Sequence, residues 1–595
     1  MERNDRLIKK KVYKYMLTGI MTTIALQLGN VVDAVIVGNL IGSIGNSAVS
    51  ASIPYIYLLQ AAAILLSSGG SVTAAILLGK RDCEKAGKVM GFCLAASLGF
   101  SLVMMAISPV SVPAFISLTK ADGILRSMMS DLIFIYSFGM PVITVVLVMS
   151  YFMNIDSHPA LAANMNITAN AVNLILDFIL VRYTPLGIKG AALSSVLGYL
   201  AAGMIFIPLY LKSHNRMLRP VLKGMSETKS LIYETMKNGL PNFSYLIITV
   251  ISMAMINSGI LSFLGGAYYS AYAVANNTQH IVQMFINGIA SVIASIAGVL
   301  YGEKDYFGMR AVLKKVLRSA LTAGAVLTAV FLAAPQLLAG MYGFRDETVL
   351  PELLTGLRLF SLSFGFFILN SIAQNYYRTI GQTFLSALST ALELLIVRIP
   401  LMMLGMHTYG FRGLFGAMII SELLSFVMIN IIRIVMQMTG RTPQSGFMAI
   451  PEHKEGEICD IIVKGSDETA VNISESIIGY CLKENMSSSR AQTMGIAAEE
   501  LISNISKYGY KSTDDKDIDI CLSKTDDRFY LRIRDDGIPF DPLSYDPVPD
   551  DGYIGGLELL RKMAVKISYM RVISLNNTII EIPCEERRSL RCTNM

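Results

Sequence analysis

The 595-residue chain is 53% hydrophobic and 16% charged, with a formal net charge of +6. That total conceals a break near residue 450, with 32 Lys and Arg against 18 Asp and Glu before it and 18 against 26 after it. The first part is too poor in charge for an ordinary soluble domain and the second too rich for a membrane span, so two physically different parts share one polypeptide, and no nucleic-acid partner is expected.

At the N-terminus, Arg3, Arg6, Lys9, Lys10, Lys11 and Lys14 precede an apolar run that continues into a full-length span with Asp33 embedded in it. No small-residue cleavage site follows, so the run reads as a first helix and not a leader. Uncharged stretches such as 132–155 and 238–302 are long enough to cross a hydrocarbon core of roughly 30 Å once or twice as helix. Twelve spans are expected, centred near residues 28, 63, 100, 142, 168, 201, 249, 286, 327, 367, 392 and 422. Basic clusters at Lys80, Arg81, Lys85 and Lys88, between Lys212 and Lys237, and between Lys304 and Lys315 put both termini in the cytoplasm by the positive-inside rule. The seven cysteines show no CxxC or metal spacing and read as reduced structural thiols.

The membrane part repeats. Gly79-Lys-Arg-Asp82 recurs as Gly302-Glu-Lys-Asp305, and Gly187-Ile-Lys-Gly190 as Gly410-Phe-Arg-Gly413, both at an offset of 223 residues. Two six-span repeats of the same orientation, about 10–215 and 230–438, suit a transporter that rocks around a central cavity.

A carboxylate inside a span costs at least ~2.5 kcal/mol on insertion scales, which singles out Asp33, Asp177, Glu393 and Glu422. Asp177 follows Asn173 by one helical turn, so both oxygens point the same way; with Asp33 they could hold a cation or share a proton. The alternative is that Asn173 and Asp177 cap the fifth helix near Arg182. Glu393 lies five residues before Arg398 and reads as its ion-pair partner, while Glu422 reads as a contact to a neighbouring helix. Asn276, Asn277, Gln279, His280, Gln283 and Asn287 form a polar face on the eighth span, suited either to lining a cavity or to joining helices by amide hydrogen bonds. Asn257 is the main interior polar group of the seventh span.

After a linker at 439–453, alternation predicts a strand near 458–463, helices near 467–485 and 488–508, paired strands at 517–523 and 528–534, a helix at 554–566 and two strands within 569–582. This is a helix layer on an antiparallel-dominated sheet. Glu500 and Asn504 stand one turn apart, suited to a general base beside a Mg²⁺ ligand. Asp535 precedes a turn containing Gly537, and Gly552-Tyr-Ile-Gly555-Gly556 opens a helix whose free N–H groups could hold phosphate. No GxxxxGK[ST] loop occurs, which excludes a P-loop pump, and His453 lacks the dimerisation helices of a sensor kinase.

Asn30-Val-Val-Asp33-Ala-Val-Ile-Val-Gly38, Pro54, Asn173-Leu-Ile-Leu-Asp177, Leu186-Gly-Ile-Lys-Gly-Ala-Ala and Gly239-Leu-Pro241 resemble the multidrug and toxic compound extrusion (MATE) transporters over residues 10–438. The resemblance implies export of small organic, often cationic, compounds across a bacterial plasma membrane in exchange for Na⁺ or H⁺. It implies a cation site at Asp33, Asn173, Asp177 and Ser195; the span amides Asn257, Gln279, Gln283 and Asn287, read from the residues themselves, are the cavity candidates. The seventh-span acid of some family members is missing, so coupling is not expected through the second half.

Residues 454–595 resemble the GHKL (Bergerat) ATPase fold, an α/β sandwich, and within it the anti-sigma-factor serine kinases. That likeness implies ATP and Mg²⁺ as cofactors, with Asn504 on the metal and Glu500 as base for phosphoryl transfer. Asp535 would bind the adenine amino group, with Gly537 shaping the pocket and Gly555 and Gly556 at the phosphates. Lys507 stands where a basic residue or His is common, and Glu558 where the family usually has a glycine. A STAS-type anti-anti-sigma protein is the partner such a kinase implies. Three readings are open at this point: a regulated exporter, a membrane-anchored signalling kinase whose membrane half is a sensor, and a lipid-linked precursor flippase. Kinase or ATPase chemistry in the soluble domain is open in each.

Overall fold

A computed structural model describes residues 6–79, 82–156, 158–213, 216–221, 229–302, 305–440, 458–464, 467–510, 517–524, 528–541, 566–572 and 575–583. The first repeat supplies α1 (Arg6–Leu40), α2 (Ser43–Gly79), α3 (Cys83–Thr119), α4 (Gly123–Ile155), α5 (Pro159–Tyr183) and α6 (Ile188–Lys212). The second supplies α7 (Lys229–Phe263) and α8 (Gly266–Val292), which passes through a π-helical turn at Ile293–Ala297 into α9 (Gly298–Gly302). Then follow α10 (Tyr306–Ala333), α11 (Pro335–Met341), α12 (Leu350–Leu362), α13 (Phe364–Thr379), α14 (Thr383–Ala391), a second π-helical turn at Leu392–Ile396, and α15 (Arg398–Met438).

Among the described residues, eight helical runs are long and apolar enough to cross a membrane, or nine when α12 and α13, bent by 46° at their junction, form one span. That is fewer than the twelve expected. One counted run, Thr383–Met438, is 56 residues long, too long for one crossing, and its backbone leaves the helix at Gly410 (φ 61°). The polar face of α8 lowers its hydropathy, and α8 is not among the eight.

The repeat is visible in the backbone. Gly187 and Gly410 share a positive φ (50° and 61°), as do Gly42 and Gly265 (98° and 89°) and Lys120 and Gly343 (56° and 68°), every pair 223 residues apart. Ser47 Oγ donates to Ser270 Oγ at 2.8 Å, so two repeat-related positions meet. The helices α2 and α7 approach at Gly69 and Gly239, where an added Cβ would lie 1.9 Å from Thr235 O or 2.1 Å from Leu65 O. Only glycine permits that backbone approach, the usual way helices pack where lipid removes the hydrophobic drive.

The C-terminal part is a five-stranded antiparallel sheet in the order β1-β2-β3-β5-β4, built from β1 (Ile458–Lys464), β2 (Asp517–Lys524), β3 (Arg528–Asp535), β4 (Lys566–Val572) and β5 (Leu575–Pro583). Helices α16 (Asp467–Lys483) and α17 (Ser488–Tyr508) cover one face, burying Ile473, Ile477, Met494, Leu501 and Ile502 against Phe529, Leu531, Ile533 and Ile580. Most of the expected linker and the expected helix at 554–566, with Gly555, Gly556 and Glu558, lie outside the described residues. The chain forms two compact units: residues 17–291 with 317–441, and residues 1–16 and 292–316 gathered with 442–595.

Candidate functional site

The first site forms where α1, α5 and α6 meet. Asp177, fully buried on α5, accepts a short hydrogen bond from Ser194 Oγ on its Oδ1. Asn173, one turn earlier, donates through Nδ2 to Ser194 Oγ at 3.2 Å and to Ser195 Oγ at 3.0 Å. Asp33 from α1 lies beside the Asp177 carboxyl, and Tyr136 from α4 lies beside Ser195. Asp33 Oδ1 and Asp177 Oδ2 are buried without a hydrogen-bond partner. Leaving buried carboxylate oxygens unsatisfied is expensive, so the site suits a small cation or a proton between them. Ser194 and Tyr136 were not visible as site residues in the sequence, since a hydroxyl in a span carries no cost that marks it.

These residues open on a cavity of about 490 Å³. Asp33, Asn173 and Ser195 line it from one repeat, and Gln279, Gln283 and Arg398 from the other. Asn257 and Asn287 are absent from the lining. Asn257 instead donates to Ser50 O at 3.4 Å and joins α7 to α2. On the Arg398 side, one guanidinium serves two buried carboxylates: its Nη2 makes a short contact with Glu422 Oε1 and lies 3.9 Å from Glu393 Oε1. Asn370 Nδ2 donates to Glu422 Oε2 at 2.7 Å, and Gln374 Nε2 donates to Glu393 Oε2. The expected Glu393–Arg398 pair is therefore the looser of the two that Arg398 makes, and its tighter partner is Glu422 from further along α15.

In the soluble part, Asn504 Nδ2 donates to Glu500 Oε1 at 2.8 Å, which fixes the two side chains together on α17, with Lys507 in its last turn. Asp535, at the end of β3 and 3% exposed, accepts on Oδ1 from Gly537 N and Asn576 Nδ2, both at 2.8 Å. Burial pushes its carboxyl above the ordinary value, and those two hydrogen bonds pull it back. A Cβ on Gly537 would come within 2.3 Å of Gly509 O, and Ile538 N donates to that same oxygen at 2.8 Å. The turn after β3 is thereby tied to the C-terminus of α17, which brings the Asp535 turn to the end of the helix that carries Glu500 and Asn504. Asn576 is held in turn by Arg571 Nη1 at 2.7 Å, a support that the sequence pattern did not suggest.

The MatE family model matches residues 19–179 and 242–404, one segment in each repeat and together more than half of the chain. The chain belongs to the MatE family. A second model, the histidine kinase-like ATPase domain, matches residues 469–580. Among curated relatives, the multidrug export protein MepA of Staphylococcus haemolyticus (strain JCSC1435) is 25% identical over 304 residues, covering 51% of this chain and 66% of that protein. MepA of Staphylococcus aureus (strain bovine RF122 / ET3-1) is 22% identical over 274 residues, covering 46% and 60%. An inward-facing multidrug resistance MATE family transporter of the MOP superfamily superposes with a TM-score of 0.64 at 18% identity, covering 72% of this MatE chain and 99% of that one. The MATE multidrug transporter DinF-BH in complex with R6G gives 0.59 at 21% identity, covering 73% and 98%. The membrane part thus has the MATE fold.

Proposed function

We propose that this MatE protein exports small organic cations in exchange for Na⁺ or H⁺ through its membrane part, and that its histidine kinase-like ATPase domain binds nucleotide as a regulator. The observation that carries the first half is the pair of facing carboxyls, Asp33 and Asp177, each with an unsatisfied buried oxygen, of which Asp33 stands on the wall of a polar and aromatic cavity and Asp177 lies buried behind it. A coupling ion needs oxygens that can replace its hydration, and Asp33, Asp177, Asn173 and Ser195 offer them in one place. A cationic cargo and the coupling ion would then compete for the same negative charge. The names of the MepA relatives, as multidrug export proteins, agree with this reading.

For the soluble domain, the fit to nucleotide rests on two features of these residues. Asp535 has one oxygen occupied by its own turn, which leaves Oδ2 to accept from an exocyclic amine, and Gly537 keeps the wall beside it free of a side chain. Asn504, held by Glu500, would be the ligand for Mg²⁺, and bound Mg-ATP would supply a transferable phosphoryl group. Glu500, so placed, would take the proton of an attacking hydroxyl. Phosphorylation of a STAS-type partner is the form of regulation that the likeness to anti-sigma-factor kinases suggests. Cytoplasmic termini follow from the basic loops.

The test is transport in proteoliposomes loaded with ethidium, driven in turn by a pH gradient and by a Na⁺ gradient. One gradient should drive dye movement in the wild type and neither should do so in Asp33→Asn. Gradient-driven transport that survives in Asp33→Asn overturns the reading.

A further inference from the structure

The sheet has two faces, and the second one is unusual. Phe529, Leu531 and Ile533 of β3 point into the helix-covered core, as does Asp535 at its end; the alternate residues Arg532 and Arg534 point the other way. A sheet covered on one face normally leaves the other to water. Here Arg532 is 7% exposed, Arg534 2% and Asp519 2%. Within the same compact unit they meet Asp305, which directly precedes α10. Asp305 Oδ2 accepts from Arg532 Nη2 and from Arg534 Nη1, both at 3.0 Å, and Asp305 is itself 4% exposed. Its Oδ1 accepts from Gly308 N at 2.9 Å and so caps α10. One carboxylate therefore holds the start of a helix of the second repeat and a strand of the ATPase-like domain.

The repeat provides its own control. Asp82 is the mate of Asp305 at the 223-residue offset and caps α3 in the same way, accepting from Lys85 N at 3.1 Å on Oδ1. Its charge partner is the exposed Lys85 of its own helix, at 2.7 Å. The cap is thus inherited by both repeats, whereas the buried arginine pair belongs to Asp305. A second tie lies beside it: Asp536, next to the adenine-pocket candidate Asp535, faces Lys10 and Lys11 of α1 at 3.6 and 3.8 Å. The end of β3 is thereby tied to a helix of each repeat, α1 and α10.

We propose that Asp305 couples the nucleotide pocket to the transport cycle, transmitting through Arg532 and Arg534 of β3, so that nucleotide at Asp535 and cargo in the cavity change each other's affinity. This rests on the nucleotide-binding reading above. Coupling of this kind is reciprocal, and the factor by which cargo changes nucleotide affinity must equal the factor by which nucleotide changes cargo affinity.

The experiment uses the full-length protein in detergent, with a fluorescent ATP analogue titrated with and without saturating ethidium, and ethidium titrated with and without Mg-ATP. Asn caps a helix as well as Asp does, so Asp305→Asn keeps the cap and removes the charge. The wild type should show mutual shifts of about fivefold or more. Asp305→Asn and Arg532→Gln should bind both ligands with shifts under about twofold, while Asp82→Asn keeps the wild-type shift. Coupling that persists in both Asp305→Asn and Arg532→Gln, or that is lost equally in Asp82→Asn, overturns the proposal. Wild-type protein that binds both ligands without mutual effect overturns it too and leaves the nucleotide reading standing. No nucleotide binding at all removes that reading, and the coupling falls with it.

Discussion

The two repeats carry their buried charge in opposite ways. In the first, Asp33 and Asp177 face each other with no basic side chain between them and with an oxygen each left over. In the second, Glu393 and Glu422 share Arg398, and Asn370 and Gln374 satisfy their outer oxygens. At the 223-residue offset the first site maps onto Ile256, Ile396, Pro400 and Met418, and the second maps back onto Asn170, Ile175 and Tyr199. Neither site has a copy. The lesson is that a common scaffold fixes where helices run, while a counter-charge decides whether a buried acid is available to an ion or committed to structure.

Four measurements would break or sharpen that contrast. The largest effect is expected for Asp33→Asn, which should abolish gradient-driven ethidium transport in proteoliposomes while the protein still binds the dye; Glu422→Gln should not act in this way. Next, Arg398→Gln leaves two buried acids without their cation and should destabilise the protein by about 3–5 kcal/mol, read as a lowered melting temperature in detergent. If Arg398→Gln melts like the wild type, the second cluster is not structural and the contrast fails.

Asp535→Asn should weaken ATP-analogue binding at least about tenfold, since a buried site that has lost its acceptor is left with an unpaired donor on the ligand. The same substitution has a pH signature. Because the folded carboxyl titrates above its ordinary value of 3.8, the native state holds a proton there that the unfolded chain has released. Stability therefore falls as pH climbs from about that value through the raised one, and Asp535→Asn should flatten this part of the unfolding profile. The smallest effect belongs to Asn257→Ala, which removes an interhelical tether worth about 0.6 kcal/mol and should lower the melting point slightly without changing ethidium affinity. Gln279→Ala, on the cavity wall, should do the reverse.

Much of this was legible in the residues, for identifiable reasons. Asp33, Asn173 and Asp177 stand out because a carboxylate in an apolar run is costly and a four-residue spacing is one helical turn. Glu500 and Asn504 stand out by the same spacing, and their side chains do meet. The hydroxyls that organise these groups, Ser194 and Tyr136, do not stand out, nor does Asn576 behind Asp535, because such residues are ordinary anywhere in a helix or strand. Asn257 was misread for the converse reason: a polar group inside a span is visible in the sequence, but its partner is not, and here it is the Ser50 carbonyl.

The sequence by itself determined the division into a membrane part and a charged domain, the two repeats, the strand and helix order of the domain and the residues whose burial would be costly, because composition, period and offset are local or additive properties. Tertiary structure alone decided which buried acids acquire an arginine, which amides face the cavity, and that Asp305 and not Asp82 grips β3. Those outcomes depend on side chains hundreds of positions apart in the chain arriving at one point, as Asp305 and Arg534 do, and no local pattern encodes such a meeting.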